Sequence, residues 1–181
     1  SLINDLAVQV WTATGDMKFS TTNIASITYG NGKFVAVGDG KGAYSSGGIT
    51  WTAISDMKFG AGLINSVTYG NGKFVAVGNA GKGSYSTDGI TWTSISDMKF
   101  GESDIRSITY GNGKFVAVGL SGKGAYSNDG ITWTAISDMK FGTSYITSIT
   151  YGNGKFVAVS YSGKGAYSTD VITWTAIDNL Q

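Results

Sequence analysis

The chain has 181 residues, its charges nearly cancel at a formal net charge of +1, and it contains no cysteine, histidine or proline. Without cysteine it can form neither a disulfide nor a thiolate metal site, and without histidine it lacks the commonest general base and transition-metal ligand. We therefore expect no cofactor and no bound metal, and the small net charge predicts no binding to nucleic acid. No run of 18 apolar residues is present, so we expect no membrane insertion.

A repeat of about 41 residues organises the chain. The sequence Tyr-Gly-Asn-Gly-Lys-Phe-Val-Ala-Val occurs four times without change, starting at Tyr29, Tyr69, Tyr110 and Tyr151. Each copy is followed by Ile-Thr-Trp-Thr, which contains Trp51, Trp92, Trp133 or Trp174. Units of this size cannot bury a core alone, so consecutive units are expected to share one.

Before the first full repeat, residues 8–19 match the end of a repeat without its beginning. Val8-Gln-Val-Trp11-Thr-Ala-Thr matches the last strand of a unit, and Asp16-Met-Lys-Phe19 matches the connector to the next unit. The segment 8–19 is therefore predicted to be an orphan fourth strand with its connector.

Each full repeat predicts four short strands, and the unit 64–100 shows the pattern. Its first segment alternates polar and apolar side chains, its second is almost entirely apolar, and its last is rich in β-branched and aromatic residues. Asn71-Gly72 separates the first two segments and is the strongest short-range signal for a tight hairpin. The predicted strands of this unit are residues 66–69, 73–77, 83–86 and 90–95.

Such a unit is a four-stranded antiparallel meander, and tandem units of this length are typical of β-propeller blades. A β-solenoid is the alternative, but its coils are usually shorter and lack tight hairpins. The predicted fold is all-β: a single β-propeller domain over 1–181, with four complete repeats after the orphan strand. The predicted blades are residues 24–59, 64–100, 105–141 and 146–177.

The closure of the ring has two interpretations. The main expectation is a compact four-bladed ring closed within one chain. The alternative is a homo-oligomer in which chains share strands at their termini and so build a larger ring with an even number of blades. An orphan strand that completed the last blade would displace residues 174–177, and these could then pair with a second chain.

The third turn of each repeat carries a motif with a known counterpart. The segment Ser86-Thr-Asp-Gly-Ile-Thr-Trp92 resembles the Asp box of sialidase-like (BNR) β-propellers, shortened by one residue between the aspartate and the tryptophan. Residues 127–133 repeat it, whereas Gly47 replaces the aspartate in the first unit and Val171 replaces the glycine in the last. The resemblance implies a turn between the third and fourth strands of a blade, in which the aspartate is structural.

The same resemblance invites comparison with enzymes. Sialidases hold a carboxylate with an arginine cluster and use a Tyr–Glu pair and an aspartate. This chain has one arginine, Arg106, and one glutamate, Glu102, so it cannot supply that cluster. Other glycosidases need two opposed carboxylates at a set separation, and Glu102 and Asp104 are close neighbours on one loop. We therefore expect no enzymatic activity and no catalytic residues.

The copies differ mainly in two kinds of loop, the connectors between units and the loops between second and third strands. Successive turns of a meander alternate between the two ends of a blade, so both kinds are expected on one face, called here the variable face. Its connectors are residues 20–25, 60–65, 101–106 and 142–147, and its other loops are residues 39–40, 79–81, 120–122 and 160–163.

Loops on a rigid scaffold concentrate binding residues. Tyrosine, asparagine and charged side chains are suited to stacking on and hydrogen-bonding a sugar or a polar peptide. Drift among unconstrained loops is the alternative cause of the variation. The candidate ligand-binding residues of the variable face are Asn23, Asp39, Asn65, Asn79, Glu102, Asp104, Arg106, Tyr145 and Tyr161.

The expected function is a non-catalytic binding module, lectin-like or protein-interacting, within a secreted or surface-attached parent protein. The alternative is a designed, reconstructed or recently amplified propeller with a purely structural role and no ligand. Near-identical copies and a start within a repeat favour this alternative. Unevenly varied loops favour the binding module.

Overall fold

The computed structural model describes residues 11–177. The first two units contain β1 (Ile24–Gly30), β2 (Lys33–Gly38), β3 (Gly42–Ser45), β4 (Thr52–Ile54), β5 (Ile64–Gly70), β6 (Lys73–Gly78), β7 (Gly83–Ser86) and β8 (Thr93–Ser94). The last two contain β9 (Ile105–Gly111), β10 (Lys114–Gly119), β11 (Gly124–Ser127), β12 (Thr134–Ala135), β13 (Ile146–Gly152), β14 (Lys155–Ser160), β15 (Gly165–Ser168) and β16 (Thr175–Ile177).

Each unit is one antiparallel sheet in which the four strands pair in chain order. The all-β prediction of four-stranded meanders is therefore confirmed. The first turn of each unit has the predicted chemistry: in the second unit Asn71 and Gly72 both have positive φ, at 45° and 73°, as a type I′ hairpin requires. In the part of the chain that is described, no helix has the length and apolarity needed to cross a membrane.

The hydrophobic core lies between consecutive blades. The second strand of one blade supplies Val35 and Val37, and the next blade supplies Phe74. The connector between the two blades adds Met57 and Phe59, and all five side chains are buried. Each blade thus covers the apolar face of its neighbour, which explains why β2, β6 and β10 are almost entirely apolar.

The inner strands of neighbouring blades repeat one close contact. The ring of Tyr69 lies against Gly30 of the preceding blade, at a place where an added Cβ would overlap it. The same relation joins Tyr110 to Gly70 and Tyr151 to Gly111. A glycine is therefore required at the end of each covered inner strand, because the aromatic ring occupies the space of a side chain.

The first and last blades do not close a ring with each other. β1 packs on β5, β5 on β9 and β9 on β13, but β13 and β1 form no comparable contact. Tyr29 of β1 is 58% exposed, and no atom lies within 4 Å of a Cβ added at Gly152 of β13. The closed four-bladed ring expected from the sequence is therefore not formed, and the blades make an open arc.

The predicted orphan strand is also not seen. Residues 8–10 lie outside the described residues, and residues 11–19 form no strand. Trp11 is fully exposed, whereas Phe19 is buried against Ala36, Ala43 and Trp51 of the first blade. The fourth-strand position beside each third strand is already filled by β4, β8, β12 or β16, so this segment has no such position to fill within its own chain.

The turns between third and fourth strands are closed by their serine and aspartate. Asp88 Oδ1 accepts hydrogen bonds from the backbone N–H groups of Ile90 and Thr91, both at 2.8 Å, and from the hydroxyl of Ser86 at 2.9 Å. Ser86 Oγ in turn accepts from the N–H of Gly89 at 2.8 Å. The aspartate therefore organises the turn, as the sequence resemblance implied.

The last of these turns contains a local conflict. Val171 stands where the first three units have glycine, and it has a φ of 66°. A β-branched residue is a rare occupant of this left-handed region. Val171 is nevertheless fully buried, in the same apolar cluster as Val116 of the preceding blade. Burial of its side chain offsets the backbone strain.

Replacing Trp92 by alanine tests the assignment of the shared core. The side chain is 2% exposed and its ring lies 6.5 Å from that of Phe74. We expect the Trp92→Ala variant to lose about 3–5 kcal/mol of unfolding free energy, because a large cavity remains. Urea unfolding measures this. Ile90→Ala, in the same turn but 38% exposed, should cost much less, and an equal loss in both variants would contradict the assignment.

Acid should weaken the fold through the turn aspartates. Hydrogen bonds from the backbone N–H groups of Thr91 and Ile90 lower the pKa of Asp88. A folded pKa below the unfolded value of about 3.9 gives stability that is present above that pH and is lost as the pH falls through the folded pKa. We expect the unfolding free energy to fall as the pH is lowered below about 5, and less steeply in Asp88→Asn. Urea unfolding across this pH range measures it.

Glu102→Gln is the control for the acid experiment. Glu102 is exposed, and within residues 11–177 its carboxylate makes no hydrogen bond or ion pair. Its removal should leave the pH dependence of the unfolding free energy unchanged. A slope in Asp88→Asn equal to that of the unaltered chain would show that the turn carboxylate does not contribute.

Candidate ligand-binding face

The two kinds of variable loop lie side by side in every blade. Backbone hydrogen bonds join each loop after the second strand to the connector that precedes its own blade. Asn79 N–H donates to Leu63 O at 3.0 Å, and Tyr161 N–H donates to Tyr145 O at 3.1 Å. The variable face is therefore a continuous surface of paired loops.

The opposite face carries the invariant turns. Asn31 Nδ2 donates to the carbonyl of Thr87 at 3.4 Å, and Asn71 Nδ2 donates to that of Asn128 at 3.3 Å. Each bond joins the hairpin of one blade to the serine–aspartate turn of the next blade. These turns have a structural role between blades, which accounts for their constancy.

A β-bulge in each inner strand places one residue for contact with solvent. In β5 the pairs Ile64–Gly78 and Ser66–Val77 leave Asn65 as the extra residue. Arg106 in β9 occupies the equivalent position, and so does Thr147 in β13. Bulges redirect side chains and are frequent beside functional sites. Here three consecutive blades contribute one bulge residue each to a common groove.

This groove has a volume of about 420 Å³. Its two tyrosines come from the last blade, Tyr145 from the connector and Tyr161 from the neighbouring loop, and they are 55% and 87% exposed. Its lining residues are Asn65, Arg106, Leu120, Tyr145, Thr147 and Tyr161.

Hydrogen bonds and an ion pair to Asp104, which does not line the groove, hold the arginine of the groove in place. Asp104 accepts a hydrogen bond from the N–H of Ala80 at 3.0 Å and forms an ion pair with Arg106 at 3.3 Å. The guanidinium group has five N–H donors, so this single contact leaves donors for a ligand. Asp104 thereby connects the third blade to the loop of the second and positions the arginine.

The amide of Asn65 is fixed by its neighbours. Its Nδ2 donates to Asn79 Oδ1 at 2.9 Å and to the carbonyl of Ile105, in the next blade, at 2.8 Å. Both amide hydrogens are therefore used. The amide oxygen receives no hydrogen bond from any residue of the described part of the chain, and it is the acceptor that Asn65 can offer to a ligand.

The nine predicted residues fall into three groups. Four of them line the groove: Asn65, Arg106, Tyr145 and Tyr161. Two support it without lining it: Asn79 and Asp104. Three are outside it: Asn23, Asp39 and Glu102. Of these, Asn23 and Asp39 bond to each other in the first blade, where Asn23 N–H donates to the carboxylate of Asp39 at 3.2 Å.

Sequence reasoning missed two lining residues, Leu120 and Thr147. Thr147 could have been found, because it is aligned with Asn65 and Arg106 in the repeat. Leu120 aligns with Tyr161, but an apolar side chain gave no sign of a polar site. Residues 11–177 contain no cluster of three or more acidic side chains suited to a metal ion.

The sequence matches no model of a known protein family. Nor does it match any curated protein. Solved structures, by contrast, superpose well. The designed protein Ika4 matches with a TM-score of 0.67 at 11% identity, over 93% of this chain and all of Ika4.

The chain has a β-propeller fold. YCF48, in a complex with a D1 peptide, matches with a TM-score of 0.66 at 18% identity, over 93% of this chain. A chain of a nidogen–laminin complex matches with a TM-score of 0.66 at 12% identity, over 88% of this chain. The propeller described here spans 57% of the YCF48 chain and 66% of the nidogen–laminin chain.

Proposed function

We propose that the chain is a non-catalytic binding module that takes a carbohydrate into the groove of the variable face. The observation that carries the proposal is the meeting of two exposed tyrosines with Arg106 and Asn65 around one groove. Aromatic rings stack on the apolar face of a sugar, and the guanidinium and amide groups hydrogen-bond its hydroxyl groups.

The size and build of the groove suit a small polar ligand. Its volume of about 420 Å³ lies within the usual range for small-molecule sites. Asp104 and Asn79 fix the polar groups beforehand, so little side-chain freedom is lost on binding. The tyrosines contribute large contact areas at a low entropy cost because each has only two side-chain torsions.

A binding role without catalysis is supported by how the carboxylates are used. Asp104 is occupied by Ala80 and Arg106, and Glu102 lies outside the groove. A glycosidase would need two carboxyl groups facing the scissile bond from opposite sides. The turn aspartates, such as Asp88, are engaged in backbone hydrogen bonds on the opposite face.

A relation to the Asp-box propellers is part of this proposal. It is supported by the Ser86–Asp88 turn, whose carboxylate receives two backbone hydrogen bonds and one from the serine. The same arrangement occurs at Ser127 and Asp129, and at Ser168 and Asp170.

A protein segment is the second candidate ligand. It is favoured by the fold neighbours, since one is bound to a D1 peptide and another comes from a nidogen–laminin complex. An extended peptide could use the same tyrosines and the same arginine. The remaining alternative is a designed or amplified propeller without a ligand, and the likeness to a designed protein agrees with it.

A glycan array at physiological salt is the direct test. We expect a defined sugar to bind the unaltered chain, and Tyr145→Ala with Tyr161→Ala to abolish this binding because the stacking surface is lost. Binding of the identified sugar by each variant is then measured by titration calorimetry. Lys73→Ala, beside the hairpin of the second blade on the opposite face, is the control and should bind normally.

Two results would overturn parts of this proposal. Sugar binding that survives the loss of both tyrosines would move the site away from the groove. An array without any bound sugar would rule out carbohydrate as the ligand. A subsequent peptide screen would then decide between a protein ligand, which should depend on the same tyrosines, and a purely structural role.

A further inference from the structure

The arc of blades ends in two unlike faces, and each lacks the partner that its equivalents have inside the chain. The face of the first blade is formed by β1 and is exposed at Ile24, Ile27 and Tyr29. The face of the last blade is formed by β13 and β14 and is exposed at Gly152 and Val159. The three junctions between consecutive blades within the chain show how two such faces pack together.

The first missing contact is the tyrosine–glycine pair. Gly30, Gly70 and Gly111 are each covered by the tyrosine of the following blade. Gly152, the fourth in this series, has open space where that ring would lie. Tyr29, the first tyrosine, covers no glycine of this chain and is 58% exposed. The unused ring and the unused space are the two halves of the same contact.

The second missing contact is a hydrogen bond. Ser26 Oγ accepts from the N–H of Val67 at 3.1 Å, and Ser66 Oγ accepts from that of Ile108 at 3.3 Å. Ser107 and Ile149 repeat the bond at 3.3 Å. Ser148 is next in the series and receives no such bond within the described residues. The N–H group equivalent to the three donors, which would complete the series, is that of Ile27.

The third missing contact is apolar. Val37, Val77 and Val118 are fully buried by the following blade, whereas Val159, the fourth valine, is 46% exposed. On the other side of the junction, Ile64, Ile105 and Ile146 are at most 1% exposed, whereas Ile24 is 44% exposed. Exposed apolar side chains therefore face outward at both ends, at positions whose equivalents form the core.

The loops of the variable face show the same gap. The glycine of the loop after the second strand lies against a connector carbonyl of the next blade: Gly81 against Gly101, and Gly122 against Gly142. Gly163 of the last blade has no atom within 4 Å of an added Cβ. The open junction thus extends from the inner strands to the loops.

We propose that two copies of this chain associate head to tail and close one ring of eight blades, because each copy contributes four and propellers typically have four to eight. The last blade of each copy receives the first blade of the other. The occupant of each open face is another copy because every missing contact is supplied, residue for residue, by the opposite end of the same sequence. A head-to-tail contact of this kind produces a closed ring when the rotation from one subunit to the next is a whole fraction of 360°, which for two copies is 180°.

The association does not require the chains to exchange strands. β16 already pairs with β15, and β4 already pairs with β3. Residues 11–14 of one copy would arrive beside the last blade of the other, where β16 lies. Strand exchange at that edge is a separate event, and the blade-face contact forms with or without it.

The native mass of the unaltered chain tests the proposal. We expect a species of twice the 18.8 kDa chain mass at micromolar concentration, measured by native mass spectrometry and sedimentation. The Gly152→Leu variant should have the mass of one chain, because its side chain fills the place of the partner's tyrosine. The single chain has room for leucine there, so its circular dichroism should be unchanged. Thr93→Leu, exposed on the outer edge of the second blade, is the matched control and should keep the doubled mass.

Mixing two variants tests the head-to-tail direction. Tyr29→Ser damages the first-blade face and leaves the last-blade face intact, whereas Gly152→Leu does the reverse. Each alone should be a single chain, but an equimolar mixture should form a heterodimer through the one intact junction. An unaltered chain of single mass, a Gly152→Leu variant of doubled mass, or an open series of larger species would overturn the proposed ring. The outcome is independent of sugar binding, since neither substituted residue lines the groove.

Discussion

The contact between consecutive blades is the interaction on which the rest of the structure depends. The apolar side chains of each unit are buried mainly at its junctions with neighbouring units, as Phe74 and Met57 cover Val35. The tyrosine of each following blade lies on the glycine of the one before it, so both residues must recur in every copy. This mutual requirement explains why the strands and the invariant hairpin hardly vary among the four repeats, while the loops do.

The same requirement separates the two faces of the molecule. The hairpin asparagines bond across to the serine–aspartate turns of the next blade, so substitutions on that face would weaken the junction between blades. On the variable face the hydrogen bond that recurs between the paired loops of every blade joins backbone atoms, as between Tyr161 and Tyr145, whereas side-chain bonds such as that of Asn65 to Asn79 belong to one blade. The recurring bond therefore leaves the side chains free to differ. Ligand contacts can accumulate there without a loss of packing, as the groove around Arg106 illustrates.

The strands, the hairpins and the grouping of the variable loops on one face could be predicted from the sequence, because Asn71-Gly72 and the apolar run of β6 encode local structure. The open arc of blades could not be predicted in this way. Closure depends on the angle between consecutive blades, and no local sequence pattern encodes that angle. Sequence reasoning also proposed nine site residues where four line the groove. Asn23 and Glu102 lie on the predicted face, but only the three-dimensional arrangement shows which blades bring their loops together.

The bulge in each inner strand has a consequence for how such a protein can change. It supplies one position per blade, occupied by Ala25, Asn65, Arg106 and Thr147, that belongs to the sheet and lies outside the buried hydrophobic core. At these equivalent positions the four blades already carry a methyl group, an amide, a guanidinium cation and a hydroxyl, while the surrounding framework is the same. The bulge residue of each blade can therefore be substituted independently, so that the ligand-binding chemistry of the variable face changes one residue at a time while the fold stays constant.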